Sequence, residues 1–262
     1  MSRQKTLIDR EQYVVKANDL IRKTRYSLTS QQQKIVLYAI SKIKPDDDIH
    51  TVYTFDINEL AEACGWKITD GGSYYERVKD DLTTLTARQW CTMPDGAEKT
   101  ISWIGDAEIR RNDATVSVTF NPNMQPYLFD LREKYTQYKL QSILVFSGKY
   151  AIRLYEILRS YTTKTAIERG KENEIDLTLE EIRYLLDIQG IYQTWRELNR
   201  RVIDPAVKEI NERAEDIHVE YYPMRGKGSR AYEKINFVIT SAGIRQQTEA
   251  YVARKKKLDH VK

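Results

Sequence analysis

The chain has 262 residues, of which 41% are hydrophobic and 31% charged, enough for one large domain or two small ones with apolar cores. No stretch approaches eighteen uninterrupted apolar residues, and residues 1–16 lack the apolar run of a signal peptide, so we expect no membrane contact and a cytoplasmic protein. Cys64 and Cys91 lack CxxC spacing, which favours buried thiols over a disulfide framework or a zinc site.

The net charge of +4 is unevenly placed. Residues 1–29 hold seven Lys/Arg against three Asp/Glu, and residues 225–262 hold ten against three. The 195 residues between them therefore carry a net charge of −7. Basic segments concentrated at the ends indicate contact with a polyanion, although the cluster at 254–257 is equally typical of a solvated tail.

The first half has the element order of a winged-helix module. Thr29 with Gln32 three residues later predicts a capped helix, residues 50–55 a short strand, and Asp56 the cap of a second helix. A third helix with Tyr74, Val78, Leu82 and Leu85 on its apolar side follows, and then β segments at 88–93, 100–104 and 114–120. We interpret residues 94–98 as the tip of the wing.

The second half repeats this architecture after a partly helical connector. A helix begins after Gly148, residues 174–177 predict a strand, and Thr178 with Glu181 forms another capping box. Residues 55–60 and 177–182 align cap with cap at an offset of 122 residues. The fold class that follows is α+β, with two tandem winged-helix domains.

Residues 189–213 predict the third helix of the second module. Trp195, Leu198, Val202, Ala206 and Ile210 share one side, while the other side is rich in hydrogen-bond donors of the kind that contact bases and phosphates in a major groove. Any amphipathic surface helix has charges outside, so this helix alone does not distinguish a DNA-binding helix from an ordinary surface helix. The basic loop 224–230 follows at the place of a wing, and the two elements together are much more specific for DNA.

The candidate DNA-binding residues fall into three groups. They are Gln193, Thr194, Arg196, Glu197, Arg200, Arg201 and Lys208 in the helix, Arg225, Lys227 and Arg230 in the wing, and Lys149, Arg77 and Lys79 elsewhere. The third helix of the first module has a charge balance of −1 over residues 73–87, against +1 over residues 193–210. We therefore expect the second module to read bases and the first to supply backbone contacts or a protein interface.

Four segments carry a resemblance to a known family. Residues 13–21, 37–41, 148–158 and 201–211 look like the signature blocks of theta-type plasmid replication initiators, the RepE-like iteron-binding Rep family, and they span nearly the whole chain in the right order. The resemblance implies pseudo-twofold symmetry between the winged-helix domains, a recognition helix at 192–210 and a basic wing at 225–230. The acidic, short loop 94–98 departs from the family.

The resemblance also implies partners. Family members bind direct repeats in double-stranded origin DNA as monomers and recruit the host initiator and replicative helicase. Their dimers, often associated through the first domain, repress their own promoter. We accordingly divide the chain into a basic arm (1–28), a first winged-helix domain (29–126), a connector (127–146), a second winged-helix domain (147–241) and a basic tail (242–262).

Two alternatives remain beside a non-enzymatic initiator. A nickase or relaxase needs a His-x-His metal pair, whereas His50, His218 and His260 are isolated, and no phosphate-binding loop for ATP is present, so we expect no enzyme activity, cofactor or metal. A dimeric transcriptional repressor is excluded only by the resemblance. Pro205 inside the recognition helix predicts a kink or a break there.

Overall fold

The computed structural model describes residues 12–66, 73–87, 89–92, 96–163, 166–167, 169 and 172–243. In the first half the elements are β1 (Tyr13–Ala17), α1 (Asn18–Lys23), α2 (Ser30–Ile40), β2 (Tyr53–Asp56), α3 (Ile57–Ala63), α4 (Ser73–Thr86), β3 (Gln89–Thr92), β4 (Glu98–Ile101), β5 (Ile104–Arg110), β6 (Thr115–Phe120), a 3-10 turn (Pro122–Met124), α5 (Gln125–Leu128), β7 (Tyr135–Lys139) and α6 (Gln141–Leu144).

The second half begins with a long buried helix. Its elements are α7 (Lys149–Ser160), β8 (Asn173–Thr178), α8 (Leu179–Leu185), α9 (Trp195–Leu198), a π-turn (Asn199–Ile203), α10 (Asp204–Arg213), β9 (Ile217–Arg225) and β10 (Tyr232–Ser241). The helical run 195–213 is continuous, and we call it the recognition helix. Within the described ranges, no helix is long and apolar enough to cross a membrane.

Local signals placed the helix starts correctly. Thr29 accepts a hydrogen bond from the backbone N–H of Gln32, whose side chain accepts one from the Thr29 N–H, and Thr178 and Glu181 repeat this arrangement. Asp56 accepts from the N–H groups of the next helix, α3. These short-range contacts satisfy orphan donors at helix starts, and they confirm the predicted boundaries.

The first wing lies elsewhere than predicted. In the second domain, β8, β10 and β9 form one sheet in that order, and the β9–β10 hairpin is the wing. The matching sheet of the first domain is β2, β6 and β5, so its wing is the β5–β6 hairpin with the turn 111–114. Residues 94 and 95 lie outside the described ranges, and the strands on either side, β3 and β4, pair only with each other among the described strands. Our placement of the wing at 94–98 was wrong, because β2 and β6 pair across about sixty residues, with Asp56 opposite Thr115, and such a pairing leaves no local signal.

Residues assigned to the arm and the connector share a second sheet. Strand β1 pairs antiparallel with β7, with Val14 opposite Tyr138, and this ribbon packs beside α7. Part of the connector is helical, as predicted, but β7 was not foreseen. The segments on either side of the first domain therefore meet at the start of the second.

Helix α7 lies at the junction of the two domains. Every residue from Ala151 to Ser160 is buried, and α7 contacts α1, α2 and α10. The Arg153 guanidinium donates to the carbonyls of Ile21 at 2.7 Å and Thr24 at 3.0 Å, and to that of Leu185 at 3.3 Å. One side chain thus ties the end of α1 to the end of α8.

Candidate nucleic-acid interface

The recognition helix begins with a capping box. The Thr194 hydroxyl accepts from the Glu197 N–H at 3.2 Å, and the Glu197 carboxylate accepts from the Thr194 hydroxyl at 2.9 Å and its N–H at 3.3 Å. These hydrogen bonds, above all the one from the hydroxyl, lower the pKa of Glu197. Both residues were predicted to face DNA, and the structure uses their polar atoms to start the helix.

The exposed and buried faces of the helix follow the predicted pattern. Leu198, Val202, Ala206 and Ile210 are buried, Ile203 and Val207 join them, and Trp195, which was predicted on the same side, is half-buried. The outer face carries Arg196, Arg200, Arg201 and Lys208, all exposed. Among the described residues, no carboxylate lies within salt-bridge distance of the three arginines, so their guanidinium groups are available to a ligand.

The helix does not break at Pro205. The departure from α geometry is the π-turn just before it, in which the Asp204 N–H donates to the Asn199 carbonyl, five residues back. Pro205 has no N–H to donate, and it lies directly after the π-turn, as the second residue of α10. The predicted disturbance is therefore present, but it takes the form of one wide turn.

The wing is joined to the start of the recognition helix by aromatic rings. The Trp195 and Tyr232 rings lie 5.3 Å apart between centroids, and the Arg225 guanidinium lies 5.4 Å from the centroid of Tyr232. Gly228 in the tip has φ +74°, a conformation that favours glycine. Lys227 and Arg230 are exposed beside it. The helix start and the wing thus form one basic surface.

The remaining candidate residues of the second domain lie outside the basic surface formed by the helix start and the wing. Gln193 precedes the helix, and its carbonyl accepts from Arg183 at 2.9 Å, a contact that sequence reasoning missed. Lys208 lies twelve residues beyond Arg196, about 18 Å along the axis at 1.5 Å per residue, and its ammonium is 3.9 Å from Glu212. Lys149 lies at the start of α7, with its ammonium 4.9 Å from the Tyr150 ring.

The first domain has a smaller basic surface. Arg77 and Lys79 are exposed on α4, and Arg111, at the turn of the true first wing, forms a salt bridge with Glu76. Tyr75, Lys79 and Arg111 line a groove between α4 and β5. Sequence reasoning missed Arg111 because it placed the wing in the wrong hairpin. The β5–β6 hairpin is identified as the wing because β6 pairs with both β5 and β2.

The described residues offer no chemistry for catalysis by a metal. No group of three or more His, Cys, Asp or Glu side chains is placed to hold an ion within those ranges. Cys64 is a buried free thiol, as expected, and burial raises its pKa to about 12. The Cys91 side chain lies outside what the structure describes.

Comparisons with known proteins identify the family. The model described as Initiator Replication protein, WH1 matches residues 13–159, and that described as Initiator Rep protein, WH2 matches residues 178–239. The chain belongs to the initiator replication protein family. The first match runs from β1 through most of α7, and both confirm the two tandem winged-helix domains.

Relatives of this initiator family include a Replication initiation protein of Escherichia coli, 25% identical over 205 residues. The alignment covers 77% of this chain, and the chain spans 62% of that relative's length. Among solved structures, the Pi initiator protein in complex with iteron DNA matches with a TM-score of 0.70 and 17% identity, over 88% of this chain and 98% of that one. This likeness confirms the fold.

Proposed function

We propose that this chain is a plasmid replication initiator that binds direct repeats in double-stranded origin DNA and recruits host replication machinery. The observation that carries the proposal is that Arg196, Arg200 and Arg201 are exposed on a helix whose first residue, Trp195, packs on Tyr232 of the basic wing. Membership of the family and the fold shared with an initiator crystallised on iteron DNA support it. The proposed function is DNA binding, and the chain itself catalyses no reaction.

Within this surface we assign different roles to different residues. Arg200 and Arg201, on a rigid helix, contact base edges, whereas Lys227 and Arg230, on the wing, contact phosphates. Thr194 and Glu197 position the helix start and do not contact bases. In the first domain, Arg77, Lys79 and Arg111 contact the backbone of the same DNA. The functional units are residues 29–126 and 147–241.

A footprint of the purified protein across the DNA flanking its own gene tests the proposal. Protection of several evenly spaced direct repeats is the expected result. Protection of a single inverted repeat at the promoter would instead indicate a dimeric repressor. If the protein protects no sequence, the proposal is refuted.

Two substitutions test the assignment of roles. Arg200→Ala should cost about 1–3 kcal/mol on the repeat and relax preference at one base pair, since a bidentate arginine–guanine contact contributes that much. Lys227→Ala should weaken binding to all sequences nearly equally and lower the salt slope by about 0.9, the value for one phosphate contact. Titrations by gel shift at several salt concentrations measure both effects.

Arg132→Ala is the matched control for these variants. The Arg132 side chain is 83% exposed, lies in the loop before β7 and pairs with Asp130. The substitution therefore also removes one positive charge, but outside the recognition helix and the wing. It should leave binding unchanged. If Arg200→Ala and Lys227→Ala both lose only non-specific affinity, the recognition face is wrongly assigned.

A further inference from the structure

The π-turn determines which way the start of the recognition helix faces. Counting back from Ile210 in steps of about 3.6 residues, a regular α-helix would place Asn199 and Arg196 on the buried line. The structure buries Leu198 and leaves Arg196 outside, on the exposed side that Arg200 and Arg201 also occupy. The extra residue in the π-turn, worth about 100° of α-helical rotation, accounts for this difference.

A tyrosine of the wing contacts both ends of this turn. The Tyr221 hydroxyl on β9 lies 2.9 Å from Asn199 Oδ1 and 3.3 Å from Asp204 Oδ1, so its single hydrogen is donated mainly to Asn199 and is shared with Asp204. Residues five apart are about 140° apart around an α-helix, so a single hydroxyl meets both only when the turn is widened. Asn199 and Asp204 are the two residues joined by the π-type hydrogen bond. The tyrosine therefore fits the π form and not the α form.

Tyr221 is itself held firmly. Its ring lies 6.4 Å from that of Phe237 on β10. Two residues away on the same strand, the Val219 N–H donates to the Asn211 side chain and the Val219 carbonyl accepts from it, both at 2.8 Å, which fixes β9 on α10. Burial and the nearby Asp204 carboxylate raise the pKa of Tyr221, so its hydroxyl remains a donor. Strand β9 is thus a rigid support for the turn.

We infer that Tyr221 is a positioning residue for DNA recognition: by contacting Asn199 and Asp204 it holds the π-turn, and the π-turn moves Arg196 out of the buried face onto the side where Arg200 and Arg201 face the DNA. This inference rests on the proposed function. It assigns sequence discrimination in part to a strand residue that contacts no base.

Tyr221→Phe removes the bridging hydroxyl and keeps the ring. The matched control is Tyr222→Phe, which removes a hydroxyl from the next residue, on the opposite face of β9, where it donates to Glu220 at 2.6 Å. Hydrogen exchange of the free protein, followed by mass spectrometry, should show faster exchange over residues 199–204 in Tyr221→Phe and wild-type exchange in Tyr222→Phe. Unchanged exchange in both variants would overturn the inference, and this test needs no DNA.

Binding gives the second readout. The ratio of affinities for the protected repeat and a scrambled duplex should fall about ten-fold in Tyr221→Phe, within the range for one misdirected arginine–guanine contact, while affinity for the scrambled duplex and its salt slope stay constant. Asn199→Ala should reproduce this loss, and the double variant should lose no more than either single one. A loss of stability alone would leave the ratio unchanged.

The outcomes separate this inference from the function on which it rests. A wild-type ratio that persists in Tyr221→Phe and in Asn199→Ala would overturn the inference and leave the initiator function standing. An equal loss of affinity for both duplexes would also overturn it. A wild-type protein without preference for any repeat would remove the proposed function, and the role of Tyr221 in recognition with it.

Discussion

The buried ion pair between Lys16 and Glu156 offers a sharp test of how the domain junction is built. Lys16 on β1 and Glu156 on α7 are each 1% exposed, and their charged atoms lie 2.7 Å apart. The same Glu156 oxygen accepts from the Tyr138 hydroxyl at 2.5 Å, and Arg153 lies 4.0 Å from the other oxygen. Lys16→Met removes one charge and keeps most of the apolar stem.

The loss of folding stability expected for Lys16→Met depends on the contacts that Glu156 keeps. Breaking a buried pair by removing one partner costs about 3–5 kcal/mol, because the remaining charge is uncompensated. Tyr138 and Arg153 still face the carboxylate, so we expect the lower end, about 3 kcal/mol. Adding Glu156→Leu removes the stranded charge and leaves the Tyr138 hydroxyl without its acceptor, a cost of about 1–3 kcal/mol. Arg153 loses its nearby carboxylate but keeps the carbonyls of Ile21, Thr24 and Leu185 as acceptors. The double variant should therefore be at least as stable as Lys16→Met.

Urea unfolding followed by tryptophan fluorescence measures these differences. The control is Lys23→Met, since Lys23 and Asp19 form an exposed pair in α1, with side chains 53% and 51% exposed. Such pairs contribute about 0.3–0.5 kcal/mol, and the control should lose no more. The reasoning is refuted if Lys16→Met loses less than about 1 kcal/mol, or if the double variant is clearly less stable than Lys16→Met.

Three further predictions test local features. Thr194→Ala and Thr178→Ala should each destabilise the fold by about 0.5–2 kcal/mol in urea unfolding through loss of a cap, but only Thr194→Ala should weaken DNA binding in a gel shift. In a Cys91→Ser background, Cys64 should react with a thiol reagent at pH 8 only after unfolding, because its pKa is raised to about 12; rapid reaction of the native protein would contradict its burial. Gly228→Val should cost about 1–2 kcal/mol in the wing and weaken binding to all duplexes alike, since φ +74° disfavours a branched side chain.

Features set by neighbouring residues could be predicted from the sequence. The capping pairs Thr29–Gln32 and Thr178–Glu181 lie three residues apart, and the structure shows both. The amphipathic face of the recognition helix follows from its spacing. The widened turn at 199–203 could not be predicted, because the apolar residues around it keep the spacing of three or four residues that an ordinary α-helix also has.

Features set by distant residues could not be predicted in this way. Hairpins β3–β4 and β5–β6 are both plausible wings by order, and only the pairing of β6 with β2 decides between them. Arg153 and Glu156 are charged residues of α7, and both are buried. A helix covered on all sides by β1, α1, α2 and α10 has no solvent face, and its own sequence does not show how many elements cover it.

The buried surroundings of α7 bear on how the two domains act together. Glu209 of the recognition helix accepts from the N–H groups of Ser147 at 2.5 Å and Gly148 at 3.0 Å, where α7 starts, and Arg213 donates to the Val145 carbonyl at 2.6 Å. Through Arg153, the same α7 holds the end of α1. The recognition helix is therefore connected to the first domain by packed and hydrogen-bonded elements, and not by a loose linker. Under the proposed function, this arrangement would present both winged helices to DNA at one spacing, and contacts made by the first domain would fix the register in which Arg200 and Arg201 meet the bases.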